Sequence, residues 1–303
     1  MHQMSLVAGL LAVAYGVLCA HAQQFPPTTP ASQLVREVVV NELHDHHGHG
    51  YWRYWIERRM PRETRLEDQV ETAEGPVNRL ALSNGRTLST EAERAEEARL
   101  QHLLSSPAEQ AKHRQEYEDD ENRIGRILAL LPDAFLYEYD GSDNDCQRLR
   151  FRPNPQYPAR SIEARIFHAM SGTLWVNTRY KRLARLDGRV EENVDFGYGI
   201  LGRLYKGGWF SLERTQVSLT DWKTERLEVH MMVRALLVKT FARETSEARG
   251  GFLPVPVEMS LAQGRLLLEE GQTQAQVQSA SQTSSPAANR TALAAPATLA
   301  LRR

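Results

Sequence analysis

Four histidines fall close together, His44, His46, His47 and His49, with Asp45 among them and Glu42 just ahead. Imidazole and carboxylate together suit zinc, copper or nickel. On a loop punctuated by Gly48 and Gly50, no fixed spacing brings these groups to one tetrahedron, and the chain holds no H-E-x-x-H. The cluster reads first as a polar turn and second as the ligand set of a metal-dependent enzyme. Gly197, Gly199 and Gly202 match G-x-G-x-x-G. That fingerprint must open a helix so that a pyrophosphate meets free backbone N–H groups. Here the chain breaks again at Gly207 and Gly208 and resumes as a strand, so a glycine-bent strand or rim loop is expected, one able to gate a cavity. The carboxylates Asp119, Asp120, Glu191, Glu192 and Glu244 sit in solvated patterns, and nothing in the sequence pairs them for acid–base work. G-x-S-x-G is absent, and Cys146 has no obvious histidine partner. No catalytic residue and no cofactor is expected.

The apolar residues say more. Phe167, Met170, Trp175, Trp209, Phe210, Trp222, Met231 and Met232 fall on strand-like segments. Taken singly, each is core. Together they ask what covers them, because one antiparallel sheet with few helices cannot bury both faces. An apolar face left open is a cavity for an apolar guest. Strand alternation puts Ile166, Met170, Trp175, Val229 and Met231 in that hollow. A one-residue slip in register would turn them outward.

The elements that must position these residues can be read in order. Residues 33–43 set Leu34, Val35, Val38 and Val39 on one side of a short helix. Residues 51–56 (YWRYWI) form a strand closed by Pro61, and two more strands flank Glu74-Gly75-Pro76. Asn84-Gly85 marks a tight turn. Residues 90–131 form two helices with a break at Ser105-Ser106. Thr90 with Glu93, and Ser106 with Glu109 behind Pro107, supply the capping boxes. The second helix is polar until Ile124, Ile127, Leu128 and Leu131 make an apolar stripe, and Pro132 is expected to stop it. A hairpin with a long loop follows around residues 140–145. From Ile162 the spacing predicts strands throughout, including IEARIFHAM, with Asp187-Gly188 as a hairpin turn. Closely spaced strands with tight turns mean antiparallel pairing. The fold class is mainly β (α+β): a curved antiparallel sheet with covering helices.

The 303 residues carry 37 basic and 38 acidic side chains, a formal charge of -1. That balance lacks the basic excess of a nucleic-acid binder. Ser5 to Leu18 is apolar but short for a membrane span, and Ala20-His21-Ala22 has the small-x-small cleavage pattern. Residues 1–22 therefore read as a signal peptide for a periplasmic or secreted protein, although the positive residues of such a leader are missing. Lipidation at Cys19 competes with this reading, but Leu18 is not the small residue a lipobox requires. Residues 23–32 read as a linker, 33–270 as one β domain, and 271–303, rich in Gln, Ser, Ala and Thr, as a disordered tail. Asn289-Arg290-Thr291 is a glycosylation sequon by pattern alone. Peripheral membrane contact is compatible with all of this.

The run Ala169-Met170-Ser171-Gly172-Thr173-Leu174-Trp175-Val176-Asn177, then Tyr180-Lys181-Arg182-Leu183 and Asp187-Gly188, resembles the strand–turn–strand core of outer-membrane lipoprotein-sorting (LolA/LolB-like) proteins. Residues 51–256 are similar to exported bacterial proteins grouped with them. The resemblance implies an incomplete barrel with helices in its mouth, and an acyl chain of a lipid or lipoprotein as cargo. The helical pair 90–131 would be the plug or lid, though it is more charged than a lid requires. It maps no ligand residue onto a numbered position. The expected activity is binding and transfer, with envelope proteins as further partners. The other readings are the histidine-loop enzyme and an envelope scaffold whose sheet is filled by its own side chains.

Overall fold

The computed structural model describes residues 29–45, 50–196, 202–235 and 239–270. The expected signal peptide, most of the linker, His46, His47, His49, the glycine loop at 197–201 and the tail from 271 lie outside them. The first described element is α1 (Ala31–Asp45), so the linker reading gives way at its last two positions to helix. Then come β1 (Tyr51–Met60), β2 (Glu63–Val70), β3 (Val77–Ser83) and the short β4 (Arg86–Thr87). Asn84 and Gly85 take positive φ at the β3–β4 turn, as an N-G pair favours. Next are α2 (Thr90–Ser105) and α3 (Pro107–Ala134), and the hairpin of β5 (Phe135–Asp143) and β6 (Cys146–Pro153). After α4 (Ile162–Phe167) the strands run close together: β7 (Met170–Asn177), β8 (Arg182–Val190), β9 (Val194–Phe196), β10 (Gly202–Leu204), β11 (Trp209–Gln216), β12 (Trp222–Ala235) and β13 (Lys239–Val255). Residues 261–270 are helical (α5), an element the sequence reading missed.

All the described strands belong to one antiparallel sheet. Its order is β4-β3-β2-β1-β13-β12-β11-β8-β7-β6-β5, and β9 and β10 extend it beside the far end of β12. The sheet is curved and does not close, so the fold class is the one expected. No helix among the described residues is long and apolar enough to cross a membrane.

Several local expectations are corrected. Residues 162–167 are helix, not strand. Ser161 caps α4 by accepting from the Ala164 N–H at 3.1 Å. Ile162 and Ile166 are four apart, a spacing that suits a helix face as well as strand alternation. Asp187-Gly188 lies inside β8, and the turn falls earlier, at Thr178–Lys181, where Lys181 takes φ +52°. The β5–β6 loop is short: Asp143 pairs with Cys146, and Asn144 takes the left-handed conformation. Helix α2 is capped by Ser89, one residue ahead of Thr90. Ser106 caps α3 as expected, but α3 runs through Pro132 to Ala134. A proline in the last turn lacks a hydrogen bond only locally, so the helix ends two residues later instead of breaking.

Register fixes which residues share a face. Leu174 pairs with Leu186, Leu186 with Leu212, and Leu212 with Leu227. Glu247 pairs with Leu227 and Arg58 with Glu247, which carries the same face on to Ile56 and Tyr54 of β1. Helices α1, α3 and α4 pack on the β5–β8 part of this inner face. Leu34, Val35, Val38 and Val39 of α1 are buried there with Phe135, Leu149, Phe151 and Val176. Each such side chain contributes roughly 1.5–3 kcal/mol. A separate cluster under α2 and α5 joins Leu100, Leu261 and Leu268 to Val70 and Val77. Val70 pairs with Arg53, so this cluster lies on the opposite face of β1 and β2.

Candidate functional site

Helices α1 and α3 run antiparallel across the inner face without filling it. Arg36 reaches Asp133 at 2.6 Å at one end, and Gly125 meets Leu43 at the other. Between these helices and the sheet lies a hollow of about 380 Å³. Val35, Val38 and Val39 of α1 and Ile124, Ile127, Leu128 and Leu131 of α3 form its roof. Leu174, Leu186, Phe210 and Leu212 belong to its floor, and Phe135, Phe151 and Phe167 close its side. The volume is within the range of small-ligand sites. Ile124 both lines the hollow and is 42% exposed, so the hollow reaches solvent beside it.

The floor is shaped by four residues in a row. Phe151 pairs with Gly172, Gly172 with Gly188, and Gly188 with Phe210. A Cβ at Gly172 would stand 2.6 Å from the Phe151 ring, and one at Gly188 would stand 2.3 Å from the Phe210 ring. The two rings lie over bare backbone where larger residues would hold them off.

One carboxylate lines the hollow. Glu42, 4% exposed, accepts from the Leu183 N–H at 2.9 Å through Oε1, and its Oε2 is ion-paired to Arg214. Arg182 approaches the same Oε2 at 3.9 Å and donates to the carbonyls of Asn41 at 2.6 Å and Thr220 at 3.0 Å. Burial holds the Arg182 guanidinium below its ordinary value, partly countered by Glu42. Two arginines and one glutamate thus tie the end of α1 to β8 and β11. Buried charges need such full pairing. The Tyr137 hydroxyl donates to the Leu131 carbonyl at 2.7 Å, and burial pushes its pKa up, which keeps it a neutral donor.

Of the five residues expected in the hollow, Met170 and Met231 line it. Ile166 packs on the same core from α4 without reaching the wall. Val229 shares the face, opposite Phe210, but lies off the lining. Trp175 is corrected to the opposite face: Leu174 and Val176 beside it are buried inward, and the Arg185 guanidinium lies 5.0 Å from its ring. That outer face carries a polar groove in which Arg185 pairs with Asp187 and Glu213 at 2.9 and 3.1 Å, and Arg226 with Glu213 at 3.1 Å. Arg182 and Arg214 were not anticipated, because their partner Glu42 is 140 and 172 residues away in the chain.

Of the histidine cluster, only His44 is described. It sits exposed in the last turn of α1, and Glu42, two residues earlier, is ion-paired to Arg214. Among the described residues no group of three His, Cys, Asp or Glu is placed to hold a metal ion. The glycine motif is flanked by β9 and β10, which pair Phe196 with Gly202 as a hairpin. A strand follows it where a dinucleotide site needs a helix.

No protein-family model matches the sequence, and no curated protein is significantly similar to it.

Proposed function

We propose that this protein is a binding or carrier protein that holds an acyl chain of a lipid or lipoprotein in the hollow beneath α1 and α3. One observation carries the reading: a cavity of about 380 Å³ whose described wall is apolar except for the paired Glu42 carboxylate and the Tyr137 hydroxyl, both already hydrogen-bonded. An alkyl chain gains about 0.8 kcal/mol for each CH₂ it buries, and it asks for no hydrogen bond in return. Among the described residues of the wall there is neither a nucleophile nor an acid–base pair, which supports a chemistry of binding and release. The reading agrees with the expectation of a LolA/LolB-like carrier working in the periplasm or secreted, with peripheral membrane contact and envelope proteins as donors or acceptors of the cargo. Helix α3 serves as the cover, with its apolar end on the hollow and its charged end in solvent.

Titration with a fluorescent long-chain fatty acyl probe tests this. Saturable binding that competes with unlabelled lipid supports the carrier. Absence of binding to lipid-stripped, folded protein favours the scaffold reading.

A further inference from the structure

The way α1 and α3 cross the sheet gives the hollow a closed end and an open one. Arg36 meets Asp133 at one end of the helix pair. The chain turns there into β5, and its first residue, Phe135, has its ring centroid 4.8 Å from that of Phe151 and 5.1 Å from that of Phe167. Phe135 and Phe151 are each 4% exposed, although both line a hollow that reaches solvent elsewhere. Aromatic rings therefore seal this end. At the opposite end Gly125 meets Leu43, and Glu42 beside Leu43 is bound to β8 and β11. Ile124, 42% exposed, stands at that end, where the floor runs on through Phe210 and Leu212 of β11 to Met231 of β12. The hollow is thus a blind channel across the strands, closed over β5 and β6 and open towards β11 and β12.

Two spans give its length. Along α3, Ile124 to Ala134 is ten residues, about 15 Å at 1.5 Å each. Across the sheet, Phe151 to Met231 runs from β6 through β7, β8 and β11 to β12, four strand spacings or about 19 Å. Spread over such a length, a volume of about 380 Å³ leaves a mean section of roughly 20–25 Å². That admits one alkyl chain, about 4 Å across at van der Waals contact, and not two side by side. An extended chain of ~1.5 Å single bonds advances ~1.25 Å per carbon, so a channel of this length takes about 12 to 15 carbons.

Resting on the carrier reading, we infer that the hollow measures its guest: it takes a single acyl chain of about 12 to 15 carbons, methyl end first, and the rings of Phe135, Phe151 and Phe167 stop it. Each carbon up to the stop is buried, and each one beyond that number stays outside the mouth. Phe167 is the half-buried member of the three and lies on α4, so its removal opens the stop without cutting into the sheet. Leu131 lines the hollow from α3, one helical turn before Phe135, and a larger side chain there brings the stop forward.

The test uses straight-chain fatty acids of about 8 to about 18 carbons, each below its micelle concentration, competing with a fluorescent acyl probe for the lipid-stripped full chain. Affinity should rise about fourfold for each added carbon and level off at about 12 to 15 carbons. Phe167→Ala should move the plateau to longer chains and Leu131→Trp to shorter ones, each by about two carbons or more. Thermal unfolding identifies the variants that are folded. Affinity that climbs without a plateau to the longest acid, or a plateau that stays in place in either folded variant, overturns the ruler and leaves the carrier reading standing. Failure of the probe and of every acid to bind overturns both.

Discussion

Gly172 and Gly188 face each other across β7 and β8, and each lies beneath the phenyl ring of its other neighbour, Phe151 and Phe210. The arrangement sets the depth of the hollow. Alanine at either glycine should act differently, because the obstacles differ. At Gly172 the new methyl would stand 2.0 Å from the Asp187 carbonyl oxygen, a backbone atom. Gly172→Ala should therefore destabilise the sheet by about 3 kcal/mol, the upper end for overpacking. At Gly188 the obstacle is the Phe210 ring, which can turn, and the space open to it is the hollow. Gly188→Ala should cost less stability, about 1 kcal/mol, and weaken acyl binding. Urea unfolding and probe titration on both variants check this; equal stability losses would contradict it.

Glu42 ties α1 to the sheet through Arg214, Arg182 and the Leu183 N–H. Glu42→Ala removes the carboxylate that is ion-paired to the half-buried Arg214 and approached by the buried Arg182. The expected loss is about 3 kcal/mol, typical of breaking one partner out of a buried pair. Glu42→Ala combined with Arg214→Leu should recover part of it, since an uncompensated charge is then removed. Thermal unfolding of the single and double variants reads this coupling. A double variant as unstable as the sum of its parts would show that Arg214 does not depend on Glu42.

The face assignment of Trp175 is open to direct test. It lies under Arg185 on the outer face, while Met231 lines the hollow. Trp175→Ala should leave the affinity for a dodecyl probe unchanged within about twofold, whereas Met231→Trp should reduce it at least tenfold. The reverse ranking would mean that the register of β7 is shifted by one residue.

Acid should loosen the inner face of β1, β2 and β13. Burial alone would raise the pKa of Glu247, but Arg249 and Arg58 outweigh it and hold the carboxyl below its ordinary 4.5. The folded pKa is thus below the unfolded one. The stability this residue contributes is complete above about pH 4.5 and is lost as pH falls through the folded pKa. Glu247→Gln should be less stable than the unaltered protein at about pH 7, and the gap should narrow by about pH 3. Urea midpoints across that range check the sign; a gap that stays constant removes Glu247 from the acid limb.

Much of the architecture was legible in residue pattern. The stripe Ile124, Ile127, Leu128 and Leu131 was recognisable as a docking face, and all four line the hollow. Leu34, Val35, Val38 and Val39 were likewise recognisable as one side of α1, and all four are buried in the core. What misled was local ambiguity. IEARIFHAM alternates, yet Ser161 ahead of it is a helix cap, and that signal was the decisive one. Asp187-Gly188 has the composition of a turn, but Gly188 is small because Phe210 lies over it. Trp175 went to the wrong face although it stands five residues from Met170 on β7, an odd spacing that strand alternation itself places on the opposite face. Arg182 and Arg214 looked like ordinary alternating strand charges, and only the three-dimensional return of α1 onto β8 and β11 shows that both meet the buried Glu42.

The central claim is that the hollow holds an acyl chain. The most direct measurement is to purify the protein under native conditions, extract it with organic solvent and identify what is released by mass spectrometry. Leu128→Trp, which fills the hollow from α3, serves as the comparison. The account predicts about one acyl-bearing lipid per unaltered chain and a loss of most of it in the variant, with the fold kept. Unaltered protein that carries no lipid and takes none up, or a variant that releases as much as the unaltered chain, would contradict it.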